Sequence, residues 1–225
     1  MHKNDTMSAN RTKPARMPER VNSTDRAALG HLLRETSVGH FAFVEDGRPV
    51  VMPIAFAPDG DSLLLHGSTG SWWLRRISTG IPVTASVMTV DGLVFARSAF
   101  ESSMRYRSAV LFGSCTRLDG EEKLAALDVV TDGLLPGRRG EIRAHNRKEL
   151  AATLVLRMHI DEWTFKISTQ WPEDPDEDIA GDTWAGVLPI HTTYGEPLDS
   201  PDLRHGIPVS ASARQLAGRR RVTTP

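Results

Sequence analysis

The sequence has little of several residue types, and each shortage excludes a class of site. Its only cysteine is Cys115, so it forms neither an intrachain disulfide nor a cysteine-rich zinc site. No stretch reaches the roughly 18 consecutive apolar residues of a membrane-spanning helix. Residues 1–20 are basic and lack the apolar core of a secretory signal. These shortages predict a cytoplasmic protein that does not bind membranes.

The motifs of several common enzyme classes are also missing. The eight histidines include no H-x-H or H-E-x-x-H pair, so the sequence predicts no metal site. It has no G-x-S-x-G nucleophile elbow, no G-x-G-x-x-G dinucleotide loop and no Walker motif. The formal net charge is -1, and the three arginines at 219–221 are more typical of a solvated end than of a nucleic-acid contact.

What is present in the first half is a run of short β-prone segments joined by tight turns. A helix comes first, with Ser23 or Thr24 as its N-cap, and it extends to Thr36. Strands at 38–44, 50–56 and 62–66 follow, and Asp46-Gly47 is a strong hairpin signal between the first two. Hairpins in this number argue against a doubly wound parallel sheet.

The later residues continue the same pattern. Asp91-Gly92 predicts a further turn, and Gly113 predicts a bulge in a strand at 106–118. Helices are expected at 71–78 and at 120–135, the second with Leu124, Leu127 and Val130 or Leu134 facing inward. The predicted fold class is therefore mainly β with flanking helices, arranged as an antiparallel β-barrel.

The domain organisation follows from composition. Residues 21–210 are predicted to form one domain, since 225 residues suffice for a single large core. Residues 1–20 and 211–225 are predicted to be disordered tails, because both are polar and basic. An acidic, proline-containing stretch at 172–178 is expected to be an exposed loop.

The stretch LLLHGSTGSWWLRR (63–76) raises the first question about function. Small residues between a strand and a helix can present backbone N–H groups, hydroxyls and the dipole of the helix N-terminus to an anion. Arg75 lies one turn further along and can reach back toward the same point. A capped helix with nothing bound also explains these residues, and composition alone favours it, so these residues by themselves do not establish an anion site.

A second polar stretch, ARSAFESSMRYRS (96–108), lies between two predicted strands. It is rich in hydroxyl and guanidinium donors, which suit a phosphate or the polar edge of a flavin. A solvated loop is the alternative. The five tryptophans, Trp184 among them, are expected mainly to pack in the core or at an interface.

The order of the motifs GHFAFVEDGRPVVMPIAF, LLLHGSTGS and SMRYRSAVLFG resembles that of the pyridoxamine 5'-phosphate oxidase-like flavin-nucleotide-binding proteins. This group also contains nitroimidazole-resistance reductases, and the resemblance covers roughly residues 19–210. It implies a split β-barrel and a homodimer with FMN at the interface. The function it implies is that of an FMN-dependent oxidoreductase acting on a small molecule.

The resemblance also implies which residues hold the FMN. The isoalloxazine ring would lie along the second strand, and the ribityl phosphate would lie in the 66–71 turn. The 98–107 segment would close over the edge of the flavin, and Trp184 would reach the site from the second subunit. The residues concerned are Pro53, Ile54, Ala55, His66, Gly67, Ser68, Thr69, Ser71, Arg75, Ser98, Ser103, Tyr106, Arg107 and Trp184.

The sequence departs from the family pattern at two places. Relatives commonly carry Arg or Lys at the position of Trp72, and often carry two histidines where this chain has Glu101 and Ser102. No catalytic residue is therefore assigned, and Tyr106 is the only candidate proton donor. A barrel that binds the deazaflavin F420 or a haem, or a flavin-binding dimer without catalytic activity, is the alternative.

Overall fold

The computed structural model describes residues 22–219, so the predicted tail at 1–20 lies outside the described residues. Seven strands are seen in the described part. They are β1 (Val38–Glu45), β2 (Arg48–Asp59), β3 (Ser62–Ser68), β4 (Pro82–Phe95), β5 (Ser103–Leu118), β6 (Thr153–Ser168) and β7 (Gly186–Pro189).

These strands form one antiparallel sheet that closes on itself. Their order is β1-β2-β3-β6-β5-β4, and a further pairing of β1 with β4 closes the barrel. The second half of β4 pairs with β7 instead of β1. The expected antiparallel split barrel is confirmed. All its neighbouring pairs are antiparallel, as the early hairpins predicted.

Helices cover the ends and one side of the barrel. Within residues 22–219 they are α1 (Arg26–Glu35), α2 (Trp72–Ile77), α3 (Gly120–Leu134), α4 (Arg147–Ala152), α5 (Asp176–Ile179) and α6 (Ala211–Leu216), with a 3-10 turn at Arg138–Glu141. None of these helices has the length and apolar character needed to cross a bilayer.

Two helices differ in detail from their sequence patterns. The N-cap of α1 is Asp25, whose carboxylate accepts the backbone N–H of Ala28, and neither Ser23 nor Thr24 has that role. Aspartate is as good an N-cap as serine and fits the extended backbone found there. On α3 the inward face includes Ala126 beside Leu127 and Val130, and Leu124 is exposed.

The main core fills the inside of the barrel. It contains large side chains without solvent exposure, among them Phe41, Phe56, Trp163 and Phe165. A second, smaller core lies outside the barrel, where α3 packs over Leu64 of β3 and Val155 of β6. Side chains alternate between the two faces of a strand, so β3 contributes Leu63 and Leu65 to the first core and Leu64 to the second.

Two Asp-Gly pairs behave differently. Asp46 and Gly47 have φ values of 49° and 73° and form the predicted hairpin turn. Asp91 and Gly92 form no turn, because β4 runs straight through them with a register shift against β5. The predicted bulge at Gly113 is confirmed, since the pairing of β5 with β6 shifts between Phe112 and Gly113.

The C-terminal segment departs from the predicted tail. Ser210 caps α6, and the buried Ser212 donates both its backbone N–H and its hydroxyl to the Glu141 carboxylate, at 2.9 and 2.5 Å. Residues 211–219 therefore continue the folded chain, because a carboxylate of the 3-10 turn satisfies the first donors of this helix. The remaining predicted tail residues, 220–225, lie outside the described residues.

Candidate functional site

The pairing of β2 with β3 stops before either strand ends. It runs from Asp59 and Ser62 to Phe56 and Leu65 and goes no further. Beyond this point β2 pairs with β1 and β3 pairs with β6. Continued in the same register, residues 53–55 would face residues 66–68. The structure thus brings two of the expected flavin-binding segments to the two sides of one opening.

Side chains of the 53–55 segment divide between the two faces of β2. Ile54 points inward and packs against the barrel core, so only its backbone is available to a ligand. Pro53 is exposed, and its partner on the neighbouring strand β1 is His40. Together with Val38, Val51 and Met88, each more than half exposed, Pro53 forms an outer apolar patch on β1, β2 and β4.

The turn after β3 uses most of its own backbone donors. Gly70 N–H binds the Ser68 hydroxyl, Ser71 N–H binds the Ser68 carbonyl and Thr69 N–H binds the Ala152 carbonyl. The remaining donors for an anion are the first N–H groups of α2 and the exposed Thr69 hydroxyl. Ser71 makes no side-chain cap bond, so its hydroxyl is also free to donate.

Gly67 has a packing role in this region. A Cβ at Gly67 would lie 2.5 Å from a methyl carbon of Leu74, so the absence of a side chain lets α2 close the end of the barrel. Arg75 projects from α2 into solvent and makes no ion pair among residues 22–219. Trp72 is about half exposed, and its ring meets Phe43 edge-on at 6.1 Å.

Arg107 is paired with two protein carboxylates. Its Nε and Nη2 donate to the two oxygens of Asp91 at 2.9 Å, and its Nη1 lies 2.6 Å from Glu35 Oε2. The hydrogen bond to Asp91 is the largest cause of the raised pKa of Arg107. Because two carboxylates neutralise the guanidinium and the side chain is buried, we expect Arg107 to stabilise the barrel and not to bind the flavin.

The other donors of the 98–107 segment form a compact turn. The Ser98 hydroxyl accepts Glu101 N–H, and the Ser98 carbonyl accepts from Ser102. Ser103 is exposed, and Tyr106 is half-buried within the pairing of β5 with β4 and β6. Arg105 lies over the ring of Trp171 at 4.7 Å from its centroid. These donors lie at the ends of β4 and β5, and within residues 22–219 no hydrogen bond or ion pair joins them to the 66–71 turn.

Trp184 lies just before β7 and is 67% exposed. Its ring packs on Phe95 of β4 at 5.8 Å and covers Gly186, where a Cβ would clash with it. An exposed, fixed tryptophan of this kind suits contact with a second molecule. Its expected reach into a neighbouring subunit stays a prediction.

His66 occupies a different place from the one expected. By the alternation along β3 its side chain lies on the outer face, where it lines a cavity of about 290 Å³ with residues of α3 and α4. Its Nδ1 atom is buried and has no hydrogen-bond partner among the described residues. Burial lowers the pKa of His66, which favours the neutral imidazole.

The second imidazole of this cavity was not among the sequence-based candidates. His145 lines it from the loop before α4, next to Glu149. Asn146 and Glu149 form a reciprocal capping box that fixes the start of α4. The N-x-x-E spacing was a signal for that helix start, but nothing local to residue 145 indicates the cavity that α3 and β3 complete. Within residues 22–219 no three His, Cys, Asp or Glu side chains are grouped to hold a metal ion by themselves.

With this geometry in place, comparison with known proteins decides the family. The family described as Pyridoxamine 5'-phosphate oxidase matches residues 25–167. The match begins at the N-cap of α1 and ends one residue before the end of β6. The chain belongs to this family. No curated protein matches the sequence.

Two solved structures of the pyridoxamine 5'-phosphate oxidase-like group resemble the chain over more residues than the family match covers. The "FAD and Heme binding protein" from Mycobacterium smegmatis is 50% identical, with a TM-score of 0.85, over 88% of this chain and 97% of its own. The flavocytochrome Anf3 from Azotobacter vinelandii is 29% identical, with a TM-score of 0.83, over 93% and 98%. Both likenesses include the C-terminal residues after β6.

A third structure shares the fold alone. It is named for 5-nitroimidazole antibiotic resistance, comes from Bacteroides thetaiotaomicron and is 20% identical. Its TM-score is 0.56, over 65% of this chain and 86% of its own. The barrel fold is thus common to all three.

Proposed function

We propose that the protein is a flavin-dependent oxidoreductase that carries a haem as its second redox group and acts on a small molecule. The observation that supports it most is the likeness, over nearly the whole chain, to a half-identical protein named for FAD and haem. The flavin is FAD in this proposal, since the name of that protein favours FAD over the FMN expected from the sequence. A bound flavin supplies hydride or electron transfer.

The opening between β2 and β3 fits a flavin nucleotide in several respects. Residues 53–55 offer the unpaired edge of a strand to the hydrogen-bonding edge of a flavin ring. Thr69, Ser71 and Arg75 offer two hydroxyls and a guanidinium to the phosphate, and charge-assisted bonds of this kind are the strong ones. With only six residues, α2 contributes little dipole, so the side chains carry most of the phosphate binding.

The protein is also proposed to be a homodimer. The outer apolar patch of β1, β2 and β4 borders the opening between β2 and β3, and patches of this kind mark interaction sites. A second copy that covers the patch would exclude water from the flavin ring. It would also bring its own exposed aromatic side chains near that ring. Light scattering during gel filtration should give twice the mass of one chain, and a monomer would contradict the dimer.

Absorbance of the freshly purified protein, with mass spectrometry of the cofactor that heat releases, tests the flavin. Flavin bands and released FAD are expected, and released FMN would restore the expectation from the sequence. A colourless protein that takes up neither added FAD nor FMN would overturn the proposal. Bound flavin that nicotinamide cofactors do not reduce, with no turnover of nitro or quinone acceptors, would indicate a flavin-binding dimer without catalytic activity.

A pair of double variants tests the placement of the phosphate. Ser71→Ala with Arg75→Ala should weaken flavin binding at least tenfold, about 1.4 kcal/mol. Thr116→Ala with Arg117→Ala is the matched control, since it removes one hydroxyl and one guanidinium at the exposed end of β5. Equal affinities for the two double variants would move the phosphate away from the 66–71 turn.

A further inference from the structure

A cavity on the outer face of the barrel has no role in the flavin site described above. It lies between β3, α3 and the segment 145–153, and its volume is about 290 Å³. Leu127, Leu134 and Leu150 give it apolar walls, and His66 and His145 supply two imidazoles. Apolar walls with a few converging polar groups are typical of cofactor sites.

One of these imidazoles lacks a partner. His66 Nδ1 is buried, and within residues 22–219 no protein atom forms a hydrogen bond with it. Buried polar atoms without a partner are uncommon and call for an explanation such as an ion or ligand. Neutral imidazole is a common ligand of haem iron, and the iron binds it through Nε2, the nitrogen farther from Cβ. Because no acceptor or donor among the described residues fixes Nδ1, the ring of His66 can carry its proton there and leave the Nε2 lone pair for the iron.

The size and charge of the surroundings also fit a haem. A haem is larger than this cavity alone, and a second cavity of about 430 Å³ lies on the other side of Leu135, which lines both. Arg138 lines that second cavity, and an arginine suits the carboxylates at the edge of a porphyrin. A haem that extends past Leu135 into both spaces would have imidazoles at one end and a guanidinium near the other.

We propose that His66 is an axial ligand of a haem iron held on this outer face of β3, and that His145 is the second axial ligand. This inference rests on the proposed function, in which the haem is the second redox group. Because side chains alternate along β3, the haem and the flavin lie on opposite sides of one strand end. Gly67 and the turn after it serve the flavin, and His66 serves the haem.

The test is a titration of the full-length protein with haemin, with flavin content measured on the same samples. Wild type should bind one haem per chain and give a low-spin, six-coordinate spectrum in both oxidation states. His66→Ala should weaken haem binding at least a hundredfold and keep its flavin. His145→Ala should keep the haem but convert its iron to the high-spin, five-coordinate form.

Controls keep each result interpretable. His31→Ala removes an exposed histidine of α1 that lines no described cavity, and its haem affinity and spectrum should equal those of wild type. If His66→Ala does not fold, as judged by circular dichroism, His66→Gln keeps the volume of the side chain and removes the ligand.

The outcomes separate this inference from the function on which it rests. Haem that binds His66→Ala with the affinity and spectrum of wild type would overturn the ligand assignment, and an unchanged low-spin spectrum of His145→Ala would overturn its second half. Wild type that binds flavin but takes up no haem would overturn the inference and leave the flavin site standing. Wild type that takes up neither would overturn both.

Discussion

Gly113 of β5 and His159 of β6 approach so closely that a Cβ at residue 113 would lie 1.7 Å from the His159 carbonyl oxygen. This contact occurs at the bulge between the two longest strands of the barrel. Gly113→Ala must therefore displace backbone, and we expect it to lower the free energy of unfolding by about 3 kcal/mol or more. Denaturant unfolding followed by tryptophan fluorescence measures the loss.

The matched control for this change is Gly195→Ala. A Cβ at Gly195 meets no atom within 4 Å, and its φ is not in the left-handed region. Its effect should stay within about 0.5 kcal/mol. If both alanine variants unfold at the same denaturant concentration, the bulge tolerates a side chain and the close contact is not a constraint.

Arg107 is expected to stabilise the fold and to leave flavin binding unaffected. Arg107→Met removes the guanidinium and leaves Asp91 and Glu35 together without their cation, which should cost about 3–5 kcal/mol of stability. At a temperature where the variant is folded, its flavin affinity should equal that of wild type. A stable Arg107→Met protein that has lost its flavin would return Arg107 to the cofactor site.

Cys115 is expected to be unreactive in the folded protein. It lies in the barrel core without solvent exposure, and burial raises the pKa of its thiol to about 12. The reactive thiolate is then about a thousandfold scarcer than for an ordinary cysteine thiol of pKa near 9. A colorimetric disulfide reagent at pH 8 should label no thiol in native protein and one thiol per chain in denaturant. Rapid labelling of the native protein would contradict this burial.

The attachment of α6 should depend on pH through Glu141. Hydrogen bonds from Ser212 are the main reason that the pKa of Glu141 is lowered to about 2 from 4.5. A carboxylate whose pKa is lower in the folded than in the unfolded state stabilises the folded state at pH values above the unfolded-state pKa. That stabilisation is lost as pH falls from 4.5 toward 2. The protection factors of amides 211–216, which correct for the intrinsic slowing of exchange at low pH, should therefore fall in this range.

A variant at neutral pH separates this contact from general acid effects. Glu141→Gln should raise amide exchange in α6 at pH 7 and leave the exchange of β5 unchanged, because only the local contact is weakened. Asp202→Asn, in the same C-terminal segment, is the control and should leave α6 protected. Equal protection of α6 in wild type and Glu141→Gln would show that other contacts hold the helix.

Turn dipeptides predicted the fold correctly only where no contact with a distant part of the chain competes. Asp46-Gly47 forms a turn because both residues adopt positive φ and nothing distant competes. Asp91-Gly92 has the same letters, but Arg107 holds the Asp91 carboxylate and the Leu188 carbonyl of β7 lies against Gly92. These partners are remote in sequence, so the continuation of β4 could not be derived from the dipeptide.

The candidate site was predictable to a similar extent. The 53–55 and 66–71 segments were placed by motif order, and the structure brings them to one opening. The face on which His66 lies was hidden by the apolar run Leu63–Leu65, which packs into two different cores and so shows no alternation. The ion pairs of Arg107 could not be predicted, because its partners Glu35 and Asp91 come near it only in the closed barrel.

The pairing of β7 with β4 changes how readily α6 finds its place. Without β7, the chain between the end of β6 at Ser168 and the start of α6 at Ala211 would close as one long loop. When Pro189 pairs with Gly92, only the segment from Pro189 to Ala211 is left to close, roughly half that length. Each halving of a flexible loop lowers its closure entropy cost by about 0.6 kcal/mol. A four-residue strand on the outside of the barrel thus raises the effective concentration of Ser212 near Glu141.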